Sequence, residues 1–108
     1  MRLMDREKQM LLNWFDAREA KVFGETLAKH FADVAPSAER YGDKAFEMKT
    51  SKVFKQMADQ VATFKRQHKL NMFKKAQLGN TFRWHLLDLG LDKHYVDKLT
   101  HWLMIELR

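Results

Sequence analysis

The sequence predicts an all-α protein, an irregular antiparallel bundle of two long helices and two shorter ones, and three observations carry that prediction. Only 4 Gly and 1 Pro occur in 108 residues, so the chain has few places to turn. No stretch shows the alternation of β-branched and aromatic residues that marks strands. Instead apolar residues recur at helical spacing. The clearest series is Phe46, Val53, Phe54, Met57, Val61, Phe64 and Met72, with His68 among them, all within roughly 100° of one another around a helix axis. The length suits one helical domain over residues 1–108, with no repeat, linker or low-complexity segment.

The first helix is expected from about Asp5 to Val34. Asp5 caps it, Glu7 favours its positive end, and Pro36 biases Ala35 away from helical geometry. Its apolar residues form two faces. Met10, Leu11, Trp14, Phe15 and Val22 share one, and Phe23, Leu27, Phe31 and Val34 share another. Gly24 marks the changeover, where the helix bends or its two halves meet different neighbours. Pro36 to Gly42 read as a connection. Asp43 then caps a second long helix reaching at least Met72, with a bend or break between Lys69 and Asn80, where Gly79-Asn80 interrupt the pattern. Phe82, Leu86, Leu87 and Leu89 anchor a third helix capped by Asn80 or Thr81, and Gly90 stops it in a Schellman-type turn. Asp92 caps a last helix from Lys93 to about Leu107. Its C-terminal half is apolar on nearly every side, so it is buried or covered by a partner.

The composition removes several functions at once. There is no Cys, hence no disulfide, thiol nucleophile or Cys-ligated metal. The longest apolar run, Trp102 to Ile105, is far short of the roughly 20 residues of a membrane span. Asp5, Arg6, Glu7 and Lys8 stand where a secretory leader would become apolar, so a cytoplasmic location without membrane partners is expected. No phosphate-binding glycine loop, nucleophile elbow or embedded carboxylate pair argues for an enzyme, and no cofactor is implied.

The net charge of +6 is uneven. Residues 1–39 and 84–108 each carry −1, and residues 40–83 carry +8. Opposite the Phe/Met stripe of the second helix lie Lys44, Lys49, Lys52, Lys55, Arg66, Lys69 and Lys74, a row able to neutralise phosphates along a nucleic acid. The face has no aromatic residues for stacking and few amides beyond Gln56 and Gln60, so it offers phosphate contact without sequence readout; a solvated helix face explains it equally well. Phe82 to His101 match the outline of a helix–turn–helix around Gly90. Leu86 and His85 depart from that pattern, and Asp92 and Asp97 neutralise Lys93 and Lys98. His94, Asp97 and His101 lie on one side of the last helix as the nearest approach to a metal-ligating set, with His85 as a neighbour. They lack the Glu-x-x-His pairs of di-iron bundles, and exposed histidines are the simpler reading. His68 is expected as a hydrogen-bonded core or interface histidine and His30 near a helix C-terminus.

Most of the thirteen aromatics and 7 Met belong to a core, yet the two faces of the first helix and the apolar end of the last offer more apolar surface than three or four helices need internally. The expected function is therefore non-enzymatic, protein–protein interaction through a homodimer or higher oligomer. Its interface would use Met10, Trp14, Phe15, Trp102, Met104 and Ile105. The alternative is nucleic-acid binding by the basic helix face.

Overall fold

The computed structural model describes the backbone of residues 3–34 and 43–108 and the side chains of residues 6–33 and 51–108. Within them the chain forms five helices: α1 (Leu3–Phe15), α2 (Arg18–Val34), α3 (Asp43–Gln67), α4 (Met72–Asp88) and α5 (Lys93–Glu106). No strand occurs among the described residues. The connection from Pro36 to Gly42 and the side chains of Asp5, Asp43 and Phe46 lie outside them.

Where local chemistry decides a boundary, the expectation holds. Gly90 has φ +90°, and the Leu91 N–H reaches the Leu86 carbonyl while the Gly90 N–H reaches that of Leu87, the two bonds of a Schellman stop. Asp92 accepts the Tyr95 N–H at 3.0 Å and so starts α5.

Three boundaries differ from expectation. The first long helix is present in two segments, and the interruption falls at Asp16–Ala17 rather than at Gly24. Asp16 accepts the Arg18 N–H at 3.2 Å and grips the Arg18 guanidinium at 3.0 and 2.8 Å, which offers the backbone an alternative to continuing the helix. The second long helix ends at Gln67, short of Met72. Asn71, not Asn80 or Thr81, caps the next helix by accepting the Lys74 N–H at 2.8 Å. Gly79 and Asn80 then lie inside α4, because Met104 packs over the Gly79 backbone.

The architecture is the predicted all-α bundle, antiparallel within the α2/α3 and α4/α5 pairs, while α2 and α4 run in the same sense. Phe23 stacks on Phe64 at 4.2 Å and Phe31 meets Phe54 at 6.0 Å, so α2 and α3 run in opposite senses. Gly24 lies against Leu78 and Glu25 beside His85, so α4 runs with α2. The pairs Gly79–Met104 and Arg83–Asp97 return α5 in the opposite sense. The core joins Leu27 and Phe31 from α2, Met57 and Val61 from α3, Leu78, Phe82 and Leu86 from α4, and Val96 and Leu103 from α5. Gly24 is what allows α2 and α4 to approach, since a Cβ there would lie 2.5 Å from the Leu78 carbonyl oxygen. No described residue of α1 enters this core. The molecule is 64 Å long, whereas 25-residue α3 rises only about 37 Å.

Candidate functional site

α1 finishes at the end of the bundle where α2 and α4 start and α3 and α5 also finish. Its base is fixed by a small aromatic cluster. Trp14 and Phe15 pack against Phe73 at 5.9 and 5.1 Å, and the Asn71 side-chain amide donates to the Trp14 carbonyl at 2.8 Å. Beyond that anchor the helix is uncovered. Met10 is 69 % exposed, Leu11 60 % and Leu12 62 %, and even Trp14 and Phe15 keep about half of their surface (44 % and 54 %). Gln9 and Asn13 hydrogen-bond to each other on the remaining, polar side. The result is a short amphipathic arm whose described apolar residues are covered by this chain only in part, at Trp14 and Phe15.

Of the predicted interface residues, Met10, Trp14 and Phe15 therefore share this arm. Ile105 is exposed at the end of α5, on the same end of the molecule. Trp102 and Met104 are turned largely inward: Trp102 packs edge-on against Phe54 at 4.9 Å, and Met104 covers Gly79. With Leu107 buried as well, most of the apolar end of α5 is satisfied inside the bundle. Leu11 lies on the face that periodicity assigns it, Leu12 is exposed without having been singled out by the sequence pattern, and Met72, expected on the apolar stripe of the second long helix, instead starts α4 and is 83 % exposed beside Phe73. The available signal was Asp16, which separates these residues from the core-forming helix.

The basic residues divide. Lys52, Lys55, Arg66 and Lys69 are exposed, and none has a carboxylate within ion-pair distance among the described residues. Lys74 is partly buried beside Asp16, whose carboxyl is pulled down to about 2, chiefly by its hydrogen bonds with Arg18. The side chains of Lys44 and Lys49 lie outside the described residues. Lys65, unassigned from sequence, bonds the carbonyls of Glu106 and Arg108 at 3.2 and 2.6 Å and so closes the end of α5.

The histidines act between helices. His68 is half-buried, stacked on Phe64, with Nδ1 2.8 Å from Glu19, as expected of an interface histidine. His30 meets Gln56 at 3.2 Å across α2 and α3, a side-chain partner rather than a helix end. His94 and His101 are exposed, and the Asp97 carboxylate is occupied by Arg83 at 2.8 Å, which holds it below its usual range. Among the described residues no group of three potential ligands converges on a point. The helix–turn–helix outline does not correspond to the packing either. α4 and α5 lie side by side along their length, and Val96, Leu99 and Leu103 of the would-be recognition helix face the core.

Two open depressions of about 420 and 390 Å³ adjoin the Phe23–Phe64 pair between α2 and α3, edged by Val22, Thr26 and His68 on one side and by Asp59 and Thr63 on the other. No family model, curated protein or solved structure matches the chain. No helix among the described residues is long and apolar enough to cross a membrane.

Proposed function

We propose that this protein acts by binding a second copy of itself through the α1 arm, as a non-enzymatic interaction protein. The observation that carries the reading is the exposure of Met10, Leu11, Leu12, Trp14 and Phe15 on one helix that meets its own bundle only at its base. If each leaves roughly 100 Å² accessible, the arm presents about 500 Å², at the upper end for the largest apolar patch on an ordinary monomer. Two arms packed on each other, with Met72 and Ile105 at the same end, offer at most about 1,400 Å² in total, within the lower part of the range of a specific interface. A second copy suits this arm better than a lipid surface, because Glu7 and Lys8 interrupt the apolar face within one turn of Met10. Cytoplasmic residence accords with this reading.

Sedimentation velocity at rising concentration tests it. The wild type is expected to dimerise in the micromolar range. The variant Met10→Glu/Leu11→Glu is expected to sediment as a monomer with unchanged helicity, since neither side chain touches the core. A wild-type protein that stays monomeric at high micromolar concentration overturns the proposal.

A further inference from the structure

The second uncommitted surface is the outer side of α3, and it differs in kind from the arm. Among its described side chains α3 buries a stripe, Val53, Met57, Val61 and Phe64, and leaves the opposite half of its circumference open. Lys52, Lys55 and Arg66 stand on that open half, and Lys69 follows just past its end. Elsewhere Arg18, Lys29 and Arg83 each sit on a carboxylate, and Lys65 sits on two carbonyls. Lys52, Lys55, Arg66 and Lys69 have no ion pair among the described residues, Arg66 donating only to the Thr63 hydroxyl at 3.2 Å, and Asp59 is the one carboxylate among the exposed positions from 51 to 67.

We propose that the outer face of α3 binds the phosphate backbone of a nucleic acid duplex without reading its sequence. Charge complementarity names the partner. Three cations along α3 and Lys69 just past its end, without an ion pair among the described residues, match a polyanion with regularly spaced charges. The residues between them argue against other occupants. Ser51, Ala62 and Thr63 are small and Gln60 is polar, so no exposed large apolar side chain lies on the described part of this face. A protein partner would look for aromatic or aliphatic anchors, and a lipid surface for Trp, Phe or Leu to insert. Single strands are gripped by aromatic stacking platforms, which are absent among the described residues of this face. The Gln56 oxygen is engaged by His30, and the remaining exposed amides, Gln60 and Gln67, are too few to give a basis for base readout.

Fluorescence anisotropy with a labelled duplex of about 20 base pairs tests this. Four phosphate contacts predict that affinity falls about 150-fold between about 50 mM and about 200 mM salt. Lys52→Glu/Lys55→Glu/Arg66→Glu is expected to lose binding at the lower salt while its circular dichroism stays that of the wild type. Asp59→Lys is expected to tighten binding and steepen the salt dependence. Absence of wild-type binding at the lower salt overturns the proposal, as does a triple variant whose affinity stays within about twofold of wild type. Tighter binding to a single strand, or equal binding to vesicles of anionic lipid, reassigns the face and overturns it too. The arm variant Met10→Glu/Leu11→Glu is expected to keep the dependence on the three cations, which separates this result from the fate of the dimer.

Discussion

α1 and α2 are neighbours in sequence, similar in apolar content and separated by two residues, yet their side chains meet opposite fates. α2 sends Leu27 and Phe31 into the core and lies against α4 at Gly24, whereas every described residue of α1 is exposed. The difference shows that amphipathic patterning marks a face that wants cover without saying where the cover comes from. α2 finds it within the chain. For α1 the chain supplies only Phe73 and Asn71 at the base.

The largest test of that contrast is a matched pair of truncations. Leu27→Ala removes a fully buried side chain and is expected to cost about 2–5 kcal/mol, seen as a lower midpoint in urea unfolding. Leu11→Ala, measured where the protein is monomeric, is expected to change stability by no more than about 0.5 kcal/mol. Equal losses at the two sites would mean that α1 is packed after all, and would undercut the arm as an interaction surface.

A smaller effect separates two glycines inside the bundle. A methyl group at Gly24 meets the Leu78 backbone oxygen at 2.5 Å, and neither helix can yield without parting from the core. Gly24→Ala is therefore expected to destabilise by about 1–3 kcal/mol despite alanine's better helix propensity. At Gly79 the obstacle is the Met104 sulfur at 2.6 Å, the far part of a flexible side chain that can swing aside. There the propensity gain of about 1 kcal/mol offsets the repacking, and Gly79→Ala is expected to change the thermal midpoint little. Displacing Met104 would also free its thioether towards solvent, so the same variant is expected to oxidise faster at Met104.

The glycines also show what was legible in the sequence. Gly90 and Asp92 declare themselves because their roles are settled within a few residues, by a left-handed turn and by a side-chain cap. The Phe/Met stripe of α3 declared its buried face for the same reason: periodicity is local. Gly79-Asn80 read as a helix boundary until Met104 is placed across from it, a partner 25 residues away. The start of α4 is hidden similarly, since the sequence points to Asn80 or Thr81 as its cap, and Asn71 takes that place where Leu70 and Phe73 pack on the core. The candidate surfaces depended on these choices. Once α1 is severed at Asp16, Met10, Trp14 and Phe15 lose the core that a continuous helix would have shared with them. Once Gly79 faces α5, Met104 and Trp102 belong mainly to the bundle.

The hinge between the two helices offers the finest test, because Asp16 holds it by charge. Its carboxyl stands at about 2 against an ordinary 3.8, mainly through the hydrogen bonds of the Arg18 side chain and backbone. A carboxyl lowered by folding stabilises the native state above its ordinary value, and that contribution disappears as pH falls through its folded value. The benefit of Asp16 over Asp16→Asn is therefore expected to be constant near neutrality, to shrink below about pH 4 and to vanish near pH 2. The pair is solvent-exposed, so the difference is small at any pH and diminishes with added salt. Carbon-detected NMR of the Asp16 carboxyl gives the folded midpoint directly. A midpoint near 3.8 would mean that Arg18 does not hold the carboxylate, and with it would go the reason for the chain to break between α1 and α2.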